Sequence, residues 1–296
     1  MAKFYQFGSV CCLLLVFVSC SQAAPTLRPK QAVTVATAFC NHVGIRPKGS
    51  FQVFFPPPIK GYSQNEYWQP RWLVHYSGVA DVEVVDASNV VDYFDNHAFF
   101  AALKDSRPAS KNLLTEVRAK KIALAALNAA GVTSNIIYAG AHIAGIGSHF
   151  GDAIWYVRWL RSWKGVPFLD QVATVSVSAD DGTVLGLSLL YPTPPPVSTK
   201  VIVLRSSAEA KARSVAQNSG IGKASLIGVR TEIVRPNLLW SKKHDFNPIH
   251  GPARTALVYA LRKGDLEADV WIDALNGNVI GGEAFRIEDS APAASK

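Results

Sequence analysis

Apolar and polar residues alternate near the end of the chain, and the alternation breaks at a tight turn before it resumes. In the stretch 270–282, VWIDALNGNVIGG, Val270 and Ile272 lie two residues apart, as on one face of a half-buried strand. Asn276 and Gly277 follow, and both residue types adopt positive φ at little cost. The pattern predicts a β-hairpin whose turn is shaped by these two residues.

An earlier stretch repeats this phrase. The sequence VSVSADDGTVLGL, 175–187, aligns with it at one constant offset, which places Asp181 on Asn276 and Gly182 on Gly277. One hairpin of this kind is common in any antiparallel protein, but a second copy with the same flanking apolar positions is not. Internal repetition therefore predicts a repeated structural unit.

A third, weaker copy lies near the start of the chain. In VEVVDASNVVDY, 82–93, the best alignment places Asp86 on Asp273 and Asn89 on Asn276. This copy has no glycine after Asn89, which makes it the most diverged of the three.

Helical periodicity precedes each hairpin phrase. Apolar positions at helical spacing predict helices over 30–42, 115–130 and 207–217. Short apolar runs typical of strands lie between helix and hairpin, at 51–55, 72–76, 154–163, 174–177, 231–234 and 256–261. A helix followed by several strands, three times over, favours an α+β fold in which each helix packs on its own small antiparallel sheet.

The N-terminus has the features of a secretory signal peptide. Lys3 precedes an apolar run at 10–18, and Ser21–Ala23 offers a small-x-small cleavage site. The run is far shorter than the roughly 20 residues of a membrane-spanning helix. We expect a secreted, extracytoplasmic or cell-envelope protein. A lipid anchor at Cys20, which ends a lipobox-like stretch, stays open as the alternative.

Composition limits the classes of partner. The chain is 49% hydrophobic and 18% charged, as expected of a globular protein, and carries 30 basic against 22 acidic residues. The basic excess is spread along the chain and not gathered in runs, which disfavours nucleic-acid binding and permits association with an anionic envelope surface.

No motif for catalysis or cofactor binding emerges. The chain has no HExxH sequence, and the nearest approach to a metal site is His142, His149 and Asp152, whose spacing fits no regular element. Gly147-Ser148-His149 lacks the GxSxG elbow of a nucleophilic serine. We predict no enzyme activity, no cofactor and no metal; a hydrolase using these three residues remains the weakest hypothesis.

Three tryptophans and an arginine fall on one face of the predicted strand 154–163. These residues are Trp155, Trp159, Arg161 and Trp163. Such a row can bind a peptide or a sugar as an aromatic, cationic platform. Packing beneath the preceding helix is the favoured interpretation of the row, since large aromatic residues usually supply core area.

The C-terminal stretches 232–240, EIVRPNLLW, 256–264, ALVYALRKG, and 270–282 together resemble the PepSY domain, notably the form in propeptides of thermolysin-like metallopeptidases. The stretch 155–187 resembles the variants of that family found in envelope proteins, although Ser178 stands where the family has Asp. The resemblance implies a secreted, non-catalytic module that binds, inhibits or helps to fold a peptidase. It also implies that Asp273 and Asn276 shape a turn.

These features together divide the chain as follows: signal peptide 1–23, diverged PepSY-like unit 24–105, PepSY-like unit 110–191, Pro-rich linker 192–200, PepSY-like unit 201–288 and flexible tail 289–296. The function they predict is that of an exported binding protein, whose partner is a secreted peptidase or another exported protein held at a sheet edge. A cell-surface protein that binds glycan or wall polymer through the tryptophan row is the alternative.

Overall fold

The computed structural model describes most of the chain. The described residues are 25–47, 49–55, 70–102 (without the side chains of 100–102), 112–145, 153–190, 196–219, 221–237, 239–240 and 252–286. Within them no helix is both long enough and apolar enough to cross a bilayer.

Three segments follow one another along the chain. The first contains α1 (Pro29–His42), β1 (Phe51–Phe54), β2 (Arg71–Tyr76), β3 (Ala80–Val85), β4 (Val91–Asp95) and the short α2 (His97–Ala102). The second contains α3 (Glu116–Ala129), β5 (Ile136–Ala144), β6 (Ile154–Trp163), β7 (Val166–Ser178) and β8 (Val184–Leu189). The third contains α4 (Arg205–Asn218), β9 (Ser225–Val234), β10 (Arg254–Lys263), β11 (Leu266–Asp273) and β12 (Val279–Arg286).

The three long helices bury alanines at helical spacing. Residues four positions apart lie on one face of a helix, and each helix places small residues there against the sheet. These are Ala32 and Ala36 in α1, Ala119 and Ala123 in α3, and Ala208 and Ala212 in α4. Because alanine is small, the helix backbones can lie close to the strands beneath them.

The strands do not form separate small sheets. All described strands belong to one mixed sheet of twelve, in the order β1-β2-β3-β4-β8-β7-β9-β10-β11-β12, with β6 and then β5 attached to β7. The predicted arrangement of tandem units, each a helix on its own small antiparallel sheet, is therefore wrong. One hydrophobic core runs under both α1 and α3, whose buried residues belong to the same cluster.

The first two segments join through their last strands. β4 and β8 pair antiparallel, with Tyr93 opposite Ser188, Phe94 opposite Leu187 and Asp95 opposite Gly186. Phe94 is almost fully buried and stacks edge-on against Phe39 of α1 at 5.2 Å between ring centroids. The junction is thus part of the core.

The third segment joins through β7. The second half of β7 pairs with β8, whereas Phe168 in its first half pairs parallel with Ile233 of β9. Both residues are fully buried and form a small cluster with Ala253. A single strand therefore carries the hydrogen bonds of two neighbours along one of its edges.

Asn237 forms hydrogen bonds with the outer edge of β12. Its side-chain carbonyl accepts the Gly282 N–H at 3.0 Å, and its side-chain amide donates to the Gly282 carbonyl at 2.8 Å. The Asn237 N–H donates to the carbonyl of Ile280 at 2.9 Å. One residue thus satisfies backbone groups that a neighbouring strand would otherwise bind.

Candidate functional site

The turn between β11 and β12 is closed by two backbone hydrogen bonds. The Asp273 N–H donates to the Asn278 carbonyl at 2.8 Å, and the Gly277 N–H donates to the Asp273 carbonyl at 2.9 Å. Gly277 has a φ of 73°, in the left-handed region that favours glycine. This is the turn that the phrase at 270–282 predicts.

The other two repeats form the same turn. Ser178 and Gly182 make the corresponding bond at 3.0 Å in the second segment, and Val85 and Asn89 make it at 3.0 Å in the first. Gly182 has a φ of 82° and Asn89 a φ of 58°. Asn89 therefore occupies the glycine position, which asparagine tolerates better than most residues. The sequence alignment that paired it with Asn276 was one residue out of register.

Asp273 shapes its own turn from a buried position. It is 1% exposed, and its Oδ1 accepts the backbone N–H groups of Leu275 at 2.8 Å and Asn276 at 3.3 Å. Its Oδ2 forms an ion pair with Arg254 at 2.8 Å. Asn276 in turn accepts the N–H of Asn278 at 2.9 Å.

Asp86 has a different task from the one its alignment with Asp273 predicted. Its carboxylate accepts the N–H groups of Thr26 at 2.6 Å and Leu27 at 2.8 Å, and the indole N–H of Trp72 at 2.9 Å. Burial alone would raise the pKa of Asp86, but these hydrogen bonds outweigh it and lower the pKa below its usual value. Asp86 thus anchors the chain that leads into α1.

Asp181 lies in the second turn and is more accessible than Asp273. Its Oδ1 accepts the N–H of Thr183 at 2.9 Å. Burial raises its pKa, and hydrogen bonds from Thr183 and Ser178 outweigh that effect, so that the pKa is lowered overall.

Each of the three turns holds the stretch that precedes its helix. In the second segment the Leu114 N–H donates to the Ala179 carbonyl at 2.7 Å, and in the third the Ile202 N–H donates to the Ala274 carbonyl at 2.8 Å. In the first segment the Asp86 carboxylate does this through Leu27. The residues of the repeated sequence therefore form a turn and also hydrogen-bond the stretch that leads into the helix of the same segment.

The tryptophan row does not form an exposed platform. Trp159 is 3% exposed and belongs to the core under α3, and Trp155 packs against the same core while its indole N–H donates to the Leu114 carbonyl at 2.9 Å. Trp163 packs instead against the Phe168 cluster. A shift of register in the β6–β7 pairing between Leu160 and Ser162 separates the two groups.

Arg161 lies beside Trp163 and is also engaged. Its Nη1 donates to the Gln171 side-chain carbonyl at 2.8 Å, and its guanidinium carbon lies 5.0 Å from the centroid of the Phe168 ring. The arginine therefore covers the junction between the second and third segments and does not extend an aromatic face.

β5 lies at the end of the β5-β6-β7 branch, in the part of the sheet that the structure describes. Among the described residues it pairs with β6 alone. Its sequence, IIYAGAHIA, contains no Asp, Glu, Lys, Arg or Pro, and the Ile137 side chain is 40% exposed. Natural edge strands usually carry charges, proline or a bulge that discourage pairing with another chain. Of these, β5 has only a bulge, at Ala139, next to Gly140, whose φ is 116°.

The inner face of β5 is firmly held. Tyr138 contacts Trp159 edge-on, and its hydroxyl donates to Glu116 at 2.6 Å while the Lys120 ammonium lies 3.6 Å from its ring centroid. The hydrogen bond to Glu116 is the main reason that the pKa of Tyr138 rises to about 12. These contacts tie the middle of β5 to α3 and to the core.

The structure also assembles a cluster that the sequence interpretation missed. His75, Asp81 and His97 place ligand-type atoms within 4.8 Å of one another. His75 Nδ1 lies 2.6 Å from Asp81 Oδ1, and His97 Nε2 lies 3.3 Å from Asp81 Oδ2 and 3.6 Å from Asp95 Oδ2. Part of the cluster could have been found from the stretch HYSGVAD, 75–81, which indicates a tight hairpin that brings His75 and Asp81 together.

The remaining candidates lie apart from this cluster. His142 stacks on Tyr156 at 5.2 Å, whereas Cys20, His149 and Asp152 lie outside the described residues. The Cys40 thiol is fully buried in the core, and burial raises its pKa to about 12. A thiol with this pKa stays protonated at neutral pH and does not act as a nucleophile.

Comparison with known proteins gives little. No family model matches the chain, and no curated protein matches it. Among solved structures the chain is similar to the Bacillus megaterium YpeB C-terminal domain, with 14% identity and a TM-score of 0.48 over 89% of this chain and 100% of that one. The likeness concerns the course of the backbone alone, and the resemblance to the PepSY domain stays a prediction.

Proposed function

We propose that this chain is an exported, non-catalytic, PepSY-like binding protein that holds a secreted peptidase or another exported protein along the β5 edge. The observation that carries the proposal is an uncharged, nine-residue edge strand that pairs on one side only among the described residues. In β-strand addition, main-chain hydrogen bonds supply affinity and side-chain contacts tune it. Recognition of this kind needs no polar constellation.

The chemistry of β5 favours a strand as the occupant. The exposed residues of the strand, Ile137, Ala139, His142 and Ala144, include no Asp, Glu, Lys or Arg, so that side carries no acidic, lysine or arginine side chain that would repel a partner strand. The bulge at Ala139 divides the edge into two regularly paired stretches, 136–138 and 140–144. A partner strand therefore pairs with one stretch and continues along the other after a bend.

The contacts that β5 makes on its inner face support the proposal. Ile136, Tyr138 and Ala141 pack against the shared core, and the Tyr138 hydroxyl is tied to α3 through Glu116. Because the edge is already ordered, the partner alone loses conformational entropy on binding.

The test is a cross-linking pull-down from the native envelope with the chain 24–296 as bait, followed by peptidase assays with and without it. Ile137→Lys and Ala144→Lys introduce the charges that protect natural edges, one in each stretch of β5. Leu124→Lys is the matched control, because Leu124 is 37% exposed but lies on α3. We expect both β5 variants to lose the partner and the control to keep it.

Two outcomes would overturn the proposal. One is a protein partner retained by both β5 variants at the parent's yield, which would place the interface elsewhere. The other is recovery of polysaccharide without any protein, which would favour a glycan-binding role. Circular dichroism of each variant separates loss of binding from loss of fold.

A further inference from the structure

His75, Asp81 and His97 form a compact group of metal-ligand side chains on the face of the sheet turned away from α1. Two imidazoles and a carboxylate are a ligand set that suits zinc and other divalent transition metals. We propose that these three residues bind one divalent transition-metal ion, with Zn²⁺ as the best fit. The site lies on strands other than β5 and stands independently of the proposed binding edge.

Strand register brings the first two ligands together. His75 in β2 is directly opposite Asp81 in β3, across a tight turn in which Gly78 has a φ of 66°. Along β2 the alternate residues Trp72 and Val74 are buried while His75 is not, so His75 points away from the helix-covered core.

The third ligand is positioned by a buried asparagine. Asn96 is 3% exposed, its side-chain amide donates to the Val184 carbonyl at 3.1 Å, and its carbonyl accepts the Phe99 N–H at 3.1 Å. These contacts fix the start of α2, where His97 is the first residue. Since Asp95 lies opposite Asp81 in the sheet, His97 falls beside Asp81 as well.

The ligand-type atoms of the three residues, all within 4.8 Å of one another, are close enough to surround one zinc ion after small side-chain rotations. With bonds of about 2.0–2.2 Å, two ligands of a tetrahedral zinc ion lie roughly 3.3–3.5 Å apart. The Asp81–His97 distance of 3.3 Å falls in this range, and the Asp81–His75 distance of 2.6 Å needs only a small side-chain rotation. Asp95, 3.6 Å from His97, supplies a second carboxylate.

Among the described residues, the ion-pair partners of Asp81 and Asp95 are the two histidines of the cluster. Arg71, on the same strand as His75, pairs with Asp92 and lies 3.6 Å from Glu83. The side chains of His75, Asp81 and His97 are 26–34% exposed, so that an ion can enter and keep a water molecule. A bound ion would cross-link β2, β3 and the start of α2.

The test uses tag-free chain 24–296, stripped of metal with a chelator and titrated with Zn²⁺ against a chromophoric competitor. We expect one equivalent to bind and the melting temperature to rise with Zn²⁺ concentration, because binding to the folded state stabilises it. His75→Ala and His97→Ala should each weaken binding by at least about tenfold. Asp81→Asn, which keeps the shape of the side chain, should do the same.

The matched control is His142→Ala, which removes an exposed histidine stacked on Tyr156 and should bind Zn²⁺ as the parent does. Metal-free melting curves show whether each variant is folded. The proposal is overturned if the parent shows no saturable binding, if His75→Ala and His97→Ala bind as tightly as the parent, or if His142→Ala loses binding to the same extent.

Discussion

The carboxylate of Asp86 accepts the backbone N–H of Leu27 at 2.8 Å, across 59 positions of sequence. We predict that Asp86→Asn destabilises the fold by about 1–3 kcal/mol, because buried hydrogen bonds to an ionised acceptor are lost or weakened. Chemical denaturation of the parent and the variant at neutral pH measures the difference. An equal stability of the two would mean that the tie before α1 contributes nothing.

The same carboxylate should make stability depend on pH. Its pKa is lowered in the folded protein, so the folded state favours the ionised form relative to the unfolded chain. The contribution is present above the unfolded pKa of about 4 and is lost as the pH falls through the lower folded pKa. The stability gap between the parent and Asp86→Asn should therefore narrow on acidification; a gap that widened would contradict the sign of the shift.

Asn89 supports a prediction about backbone strain. Because its φ is 58°, a β-branched residue is strained there, and Asn89→Val should cost on the order of 1–3 kcal/mol. Asn89→Gly should cost far less, since glycine adopts this conformation freely. Thermal unfolding of the pair is the measurement. Indistinguishable melting temperatures would show that the first turn differs from the other two.

The second and third turns respond differently to the same substitution. Gly182 and Gly277 have similar φ values of 82° and 73°, so the backbone strain of alanine is alike at both. A Cβ at Gly182 would lie 2.8 Å from Ile122 Cδ1, whereas one at Gly277 would lie 3.5 Å from Val203 Cγ1. We predict that Gly182→Ala lowers the free energy of unfolding more than Gly277→Ala, with denaturant titration as the check.

We predict that substitution of Trp159 affects the stability of the fold and not a binding surface. It is a core residue under α3, and truncation of a buried tryptophan costs about 3–5 kcal/mol. We expect Trp159→Ala to lower the unfolding midpoint strongly. A stable variant that had lost only affinity for a glycan would restore the platform hypothesis.

Much of the local structure was predictable, because it depends on neighbouring residues. Helical periodicity over 30–42, 115–130 and 207–217 predicts α1, α3 and α4 to within two residues at each end. The turns follow from Asn and Gly, since few other residues accept positive φ. These signals act over a few positions and survive in any surrounding fold.

The joining of the segments was not predictable from such signals. A strand with one buried face has the same alternation whichever strand lies beside it, so nothing in β4 identifies β8 as its neighbour. The same holds for Phe168 and Ile233, whose pairing creates the mixed sheet. The separation of Trp163 from Trp155 and Trp159 was not predictable for a related reason. The register shift after Leu160 interrupts an alternation that is regular in the sequence.

The cluster of His75, Asp81 and His97 was not predicted from the sequence, because its three residues lie on three different elements, β2, β3 and α2. His75 and Asp81 meet through a hairpin that the sequence indicates, but His97 arrives only through the anchoring of Asn96 against β8. Sequence spacing does not contain that contact. The sequence spacing instead singles out His142, His149 and Asp152 as the nearest approach to a metal site, and it predicts no metal there.

The β4–β8 junction has the symmetry of a dimer. Phe94 and Leu187 lie equally far beyond the equivalent turn residues Val85 and Ser178, and they face each other across the junction. The first two segments are thus related as two identical subunits are by a two-fold axis, and an isologous contact of this kind is closed once formed. In the third segment the equivalent position is Gly282, where Asn237 already holds the backbone. Within the described residues, the first two segments thus pair as the subunits of a dimer do. In the third segment, Asn237 occupies the backbone groups of β12 that a further segment would need for the same pairing.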